Sequence, residues 1–93
     1  MTKFKVFLSK TAVSQLNSLD KKLKDRVKNA LKNLENGPFF SRAGSDIKKI
    51  VTKSEPPLFR LRIGDYRALY FVVDDQIKVT EIFPRKKGYK WLT

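Results

Sequence analysis

Arg60, Arg62, Arg67 and Arg85 are the residues of this chain whose type and spacing could do chemistry. A guanidinium is a planar, permanently charged fork of N–H donors that grips phosphate oxygens in pairs. All of them fall in one stretch, LFRLRIGDYRALYFVVDDQIKVTEIFPRKKGY, from Leu58 to Tyr89. Arg60 and Arg62 alternate with Phe59, Leu61 and Ile63, the period of a half-buried strand. With Gly64-Asp65 as a tight two-residue loop, Ile63 stands opposite Tyr66 and Arg62 opposite Arg67. Arg60, Arg62 and Arg67 then project from one face. A second turn at Asp74-Asp75 puts Arg67 opposite Ile82, so Arg85 leaves the sheet close to Arg62 and Arg67. Like charges directly opposite one another destabilise a sheet. The simplest reason to keep such a cluster is a polyanion, with the phosphate of a nucleic acid as the leading candidate. The bland alternative is that the arginines snorkel off an exposed face, their stems covering apolar neighbours.

A second set of cations has helical spacing. Lys21, Lys24, Lys28 and Lys32 are neighbours of like sign on one helix face, little relieved by Asp25 and Glu35. Such a stripe is either a solvated face or a track for a phosphate backbone. Lys86 and Lys87 prolong the charge run after Arg85 and join the stripe as candidate RNA contacts. Tyr89 and Trp91 either anchor the tail by packing or offer platforms for stacking bases; Tyr89, nearer the arginines, is the stacking candidate.

The elements that must position these residues are legible from periodicity and punctuation. Lys3–Leu8 reads as a strand with Phe4, Val6 and Leu8 on one side and Lys3, Lys5 and Phe7 on the other. Ser9 is a good N-cap for a short helix over Lys10–Ser18, carried by Ala12, Val13, Leu16 and Leu19. Asp20 caps a second helix, in which Leu23, Val27, Leu31 and Leu34 recur with Ala30 alongside. Gly37 is expected in a left-handed C-terminal position and Pro38 prevents continuation. Gly37–Ser45 reads as a loop with buried aromatic anchors, Asp46–Val51 as a strand, and Lys53–Pro57 as a turn. The strands Leu58–Ile63, Tyr66–Val73 and Gln76–Phe83 follow, stopped by Pro84.

The expected fold class is α+β: an N-terminal strand, an antiparallel helical hairpin, then an antiparallel β-meander packed on the helices. One sheet face carries Phe59, Leu61, Ile63, Ala68, Tyr70, Val72, Ile77 and Val79 as core. The other is basic near the Gly64 turn and apolar beyond it, with Leu69, Phe71, Val73 and Ile82 available to a partner protein.

Composition narrows the classes. The 93 residues make a single domain with a modest core, residues 1–93 throughout. The chain has no cysteine and no histidine, which excludes disulfides, thiolate metal sites and the usual general base. The acidic residues are few and scattered, so neither metal nor cofactor is expected. Lys plus Arg number 21 against 9 acidic residues, a net charge of +12 that predicts an anionic partner. Met1–Leu8 lacks the apolar region of a signal peptide and no apolar run could span a bilayer, so a cytoplasmic protein with no membrane contact is expected.

The order of elements, with RLRIGDYRALY (Arg60–Tyr70), PRKKGY (Pro84–Tyr89) and the helix ending NLENGP (Asn33–Pro38), resembles the RelE/ParE toxin superfamily of type II toxin–antitoxin modules. The resemblance spans nearly the whole chain. Its RelE branch implies a ribosome-dependent endoribonuclease that cuts mRNA in the A site. The substrate 2′-hydroxyl is the nucleophile and a 2′,3′-cyclic phosphate is left. Carried over by motif, the catalytic set is Arg60 and Arg62 on the strand, Arg67 after Gly-Asp-Tyr, Arg85 (with Lys87 the rival assignment) and Tyr89. The implied partners are the ribosome, mRNA and a RelB-like antitoxin that wraps the toxin in a hetero-oligomer, on the face bearing Leu69, Phe71, Val73 and Ile82.

Members of this family often have lysine at the strand positions. Arginine effectively cannot surrender its proton, so Arg60 and Arg62 fit the role of phosphate clamps better than that of a general base. The base is then Tyr89, a lysine or a ribosomal group. The rival readings are a ParE-like gyrase inhibitor, a non-catalytic RNA-binding module, and a toxin inactivated by the lysine-to-arginine changes.

Overall fold

The structure, a computed structural model, describes residues 3–41, 45–51 and 56–85. The chain starts at one edge of a five-stranded sheet with β1 (Lys5–Leu8) and crosses to the far edge through two helices, α1 (Lys10–Asn17) and α2 (Lys21–Asn33). It then returns strand by strand through β2 (Asp46–Val51), β3 (Leu58–Ile63), β4 (Tyr66–Val73) and β5 (Gln76–Pro84). The order across the sheet is β1-β5-β4-β3-β2. β1 runs parallel to β5 and the other neighbours are antiparallel, so the α+β class holds with a mixed sheet.

Both helices begin where a short polar side chain can replace a missing backbone partner. The Ser9 hydroxyl accepts from the Ala12 N–H at 3.0 Å, and the Asp20 carboxylate from the Leu23 N–H at 2.9 Å. Each such cap contributes about 1 kcal/mol. Ser9 also ties α1 to the sheet, its hydroxyl donating to the Thr80 carbonyl at 2.8 Å. Beyond the end of β1, Gln15 takes over the open edge of β5, its Oε1 accepting from the Ile82 N–H. The last turn of α2 tightens into a 3-10 turn over Leu34–Asn36. Gly37 follows at φ 152° and ψ 103°, a positive-φ conformation but not the left-handed helical one expected.

The helices bury Ala12, Leu16, Val27, Leu31 and Leu34 against Ile47, Phe59, Leu61, Ile63, Ala68, Tyr70, Ile77 and Val79. A fully buried side chain of this kind contributes roughly 1.5–3 kcal/mol. Tyr70 is enclosed, and its hydroxyl donates to the Pro38 carbonyl at 2.6 Å, which pins the loop after α2 to the sheet. Phe4, Phe39, Phe59 and Tyr70 continue this contact as a ring chain with centroids 5.6–5.8 Å apart. The loop aromatics are less buried than expected: Phe40 is 81% exposed, and Phe39 remains exposed although its ring meets both Phe4 and Phe59. Val13 is also exposed, because it lies to the side of the α1 stripe.

The hairpin register is as expected at β3–β4 and shifted at β4–β5. Arg62 pairs with Arg67 and Ile63 with Tyr66. Between Tyr70↔Val79 and Leu69↔Glu81 the extra residue Thr80 makes a β-bulge. Beyond it Arg67 faces Phe83, not Ile82, and Ile82 pairs with Ala68 and joins the core under the helices.

Candidate functional site

Asp46, Arg62, Arg67 and Phe83 form one row across β2, β3, β4 and β5, next to the Gly64-Asp65 turn. Period-2 alternation places them on the face away from the helices, with Arg60 two residues along β3. The bulge draws Arg85 to the same end. With one residue added to β5, Pro84 pairs with Tyr66, and the Arg85 peptide N–H donates to the Asp65 carbonyl at 2.7 Å. Four cationic side chains therefore start from one turn and the strands flanking it.

Their environments differ. Arg62 and Arg85 are exposed. Arg67 is 8% exposed, and its Nη1 donates to the Tyr66 carbonyl at 3.2 Å and the Gly64 carbonyl at 3.4 Å. The expectation that Arg67 projects freely beside Arg62 is thus corrected: its fork turns back onto the turn, which relieves the like-charge pairing. Arg60 is half-buried and ion-paired, its Nη2 3.0 Å from Asp46 Oδ1, while its Nε is buried with no hydrogen-bond partner. Among the described residues this is the one ion pair. Arg62 and Arg85 are left as the guanidiniums able to take a phosphate from solvent, backed by the positive field of Arg60 and Arg67. Tyr89, Lys86 and Lys87 lie outside the described residues.

The turn also meets a cation that periodicity did not single out. A Cβ placed on Gly64, whose φ is +57°, would lie 3.1 Å from Arg26 Nη1 and 3.2 Å from its Cζ and Nη2. The guanidinium of Arg26, on α2, therefore packs against Gly64 from the helix side. Lys24 and Lys28 are each two residues from Arg26, which is about 160° round the helix axis. The flank of α2 that serves the turn is thus nearly opposite the one bearing these two lysines. Lys21, Lys28 and Lys32 are exposed and Lys24 half-buried. Lys32 lines an open polar hollow with Lys3, Asn29, Asn33, Glu35 and Asn36. The signal that could have found Arg26 was its i, i+4 spacing from Lys22.

The apolar end of the outer face is smaller than expected. Leu69 and Ile82 are buried, Leu69 completely, so neither is presented to a partner. Phe71 is half-buried and Val73 is 41% exposed. β1 adds to them: Phe7, Lys78 and Phe71 share one row across β1, β5 and β4, with Lys78 Nζ 4.6 Å above the exposed Phe7 ring. Among the described residues no helix is long and apolar enough to cross a membrane.

Residues 6–89 match the family model of the ParE toxin of type II toxin–antitoxin systems, parDE. The chain is similar to a crystal structure of an archaeal RelE-RelB complex from Pyrococcus horikoshii OT3, with 33% identity over 95% of this chain and 100% of that one, at a TM-score of 0.76. It also resembles a RelB-RelE antitoxin-toxin complex from Methanococcus jannaschii, at 26% identity, 91% and 96% coverage and a TM-score of 0.71. The toxin-antitoxin complex RelBE2 from Mycobacterium tuberculosis, at 21% identity, 89% and 99% coverage and a TM-score of 0.69, shares the fold. No curated protein sequence is matched.

Proposed function

Because the chain belongs to the ParE toxin family of type II toxin–antitoxin systems, within the RelE/ParE superfamily, we propose that it is a RelE-type endoribonuclease acting on ribosome-bound mRNA. The observation that carries this reading is the convergence of arginines on one turn: Arg62 opposite Arg67, with the Arg85 peptide hydrogen-bonded to Asp65 of the same loop. The 33% identity to an archaeal RelE over nearly the whole chain supports the same branch.

The proposed reaction is an in-line displacement. The substrate 2′-oxygen bonds to the adjacent phosphorus as the bond to the 5′-oxygen breaks, leaving a 2′,3′-cyclic phosphate and a 5′-hydroxyl. Arg62 and Arg85 clamp the non-bridging oxygens, whose negative charge is stabilised without reorganisation of solvent. Arg67 holds the turn from which both start and adds its charge. Arg60, tied to Asp46, supports rather than clamps. The 2′-hydroxyl proton goes to a group other than these arginines, with Tyr89, a lysine or a ribosomal group in that role, and the departing 5′-oxygen takes a proton from that group or from water to become the 5′-hydroxyl. A RelB-like antitoxin is the proposed regulator, binding in a hetero-oligomer as the names of the solved relatives describe for theirs.

A second reading has an observation in its favour, since the matching family model is that of ParE. A ParE-like toxin would inhibit DNA gyrase and leave RNA intact. A translation extract separates the two: the RelE reading expects arrested synthesis and mRNA ends mapping to A-site codons, abolished in Arg85→Ala. Intact mRNA with arrested replication and DNA damage would establish the gyrase reading instead.

A further inference from the structure

We propose that Arg26 of α2 is an RNA-phosphate contact, which carries the arginine cluster round the Gly64 turn from the sheet onto the helical layer. The inference rests on the RNA reading above and names a residue outside the set expected from sequence.

Gly64 has guanidiniums on both sides. Arg67 Nη1 donates to its carbonyl at 3.4 Å, and Arg26 Nη1 lies 3.1 Å from where its Cβ would be. The dimensions of one residue then limit the separation of these two nitrogens to about 10 Å. That is well inside the screening length of roughly 30 Å at 0.01 M salt, so at low ionic strength the two charges act on the same anion. Neither has a carboxylate partner among the described residues, although Asp20 and Asp25 share the helix with Arg26. An exposed arginine with no binding role would be expected to swing toward one of those carboxylates or into water. Arg26 is exposed, yet its guanidinium rests against Gly64 and not on Asp20 or Asp25, which leaves its N–H groups able to donate to an incoming anion. Asp20, Lys22, Leu23 and Arg26 together line an open cleft on this flank, which gives a backbone a path leading away from the turn. A nucleic-acid backbone that passes from Arg62 round the turn to this cleft would place successive phosphates where the fold concentrates positive charge.

The test measures affinity for a 2′-O-methyl RNA oligonucleotide, which binds but lacks the nucleophile, free and loaded on bacterial ribosomes, at two salt concentrations. Arg26→Ala is expected to weaken binding about fivefold at low salt and to flatten the log–log salt slope by about 0.7, the loss of one phosphate contact to a single strand. Arg26→Lys should keep the slope, and Lys10→Ala, which removes a charge from the start of α1, should leave both quantities unchanged. Loss with the free oligonucleotide assigns the contact to the message. Loss only on the ribosome assigns it to ribosomal RNA. If Arg26→Ala lowers Tm too far for assay, Arg26→Gln keeps the stem over the turn and carries the same charge test. A wild-type slope in the Arg26 variants, with a reduced slope in Arg62→Ala, overturns the inference alone. No salt-dependent affinity in the wild-type protein overturns the RNA reading and this inference with it.

Discussion

Arg62 and Arg67 stand directly opposite each other on β3 and β4, yet one is in solvent and the other is 8% exposed. The pairing of like charges is tolerated because Arg67 spends donors on the Gly64 and Tyr66 carbonyls. The two arginines should therefore fail differently. Arg62→Ala removes a repulsion and no hydrogen bond, so stability should be unchanged or slightly higher while mRNA cleavage falls at least tenfold. Arg67→Ala removes charge-assisted bonds at the turn and should lower stability by about 1–3 kcal/mol, a Tm loss of several degrees for a domain of this size. Thermal melts beside a cleavage assay check this; equal melting of the two variants would show that the Arg67 bonds do not hold the turn.

Asp46 is both the ion-pair partner of Arg60 and the cross-strand neighbour of Arg62. Among the described residues it is the carboxylate ion-paired within the cluster. Asp46→Asn should change stability by less than about 1 kcal/mol, as expected of a partly exposed pair. RNA affinity at low salt should rise by about two- to fivefold as the local field becomes more positive. Anisotropy with the 2′-O-methyl oligonucleotide reads this directly. Weaker binding would mean that Arg60 must be held by Asp46 to make its own contact.

How far the sequence went can be judged at these same residues. The pairing of Arg62 with Arg67 was legible because a period of two on each side of a Gly-Asp loop leaves one register. Ser9 and Asp20 were legible as caps because the competition they win is local. The bulge at Thr80 was not, since no glycine or proline marks it. It is decided by where Ile82 can be buried, and it moved Ile82 to the core and Phe83 beside Arg67. The parallel pairing of β1 with β5 joins residues about seventy positions apart, and no local pattern encodes that closure. Arg26 escaped notice for a related reason: a single cation on the flank of an amphipathic helix has meaning only once the turn it touches is in place.

Gly64 is required twice over. Its φ of +57° is a left-handed conformation that costs a Cβ-bearing residue roughly 1–2 kcal/mol, and a Cβ there would press on the Arg26 guanidinium at 3.1–3.2 Å. Gly64→Ala should therefore destabilise by slightly more than the backbone strain alone. In a double-mutant cycle with Arg26→Ala the combined loss should be less than the sum, because the steric part vanishes with the guanidinium. Gly64→Asn, which tolerates the left-handed region better, should recover stability while still displacing Arg26, and so should weaken RNA binding with less change in Tm. Strict additivity in denaturant titrations would show that the two residues do not touch in solution.

An antitoxin that covers the outer face has less apolar surface available than alternation suggests. Leu69 is completely enclosed and Ile82 belongs to the core, whereas Phe71 and Val73 reach the surface beside Phe7 and Lys78. Charge placed at these positions should separate folding from docking. Leu69→Asp buries a carboxylate without a partner and should unfold the domain or leave it insoluble. Val73→Asp, at an exposed position, should leave the melt within about 0.5 kcal/mol of wild type. It should also weaken binding of the cognate antitoxin by at least tenfold, with Phe71→Asp intermediate on both scales. The Phe7–Lys78–Phe71 row adds a charge requirement, since a partner seated there meets a cation between two rings. Lys78→Glu should therefore raise the dissociation rate of an acidic antitoxin segment more at low salt than at high salt. Calorimetry on the purified pair checks the affinities, and a Val73→Asp toxin that binds its antitoxin normally would place the docking surface elsewhere on the domain.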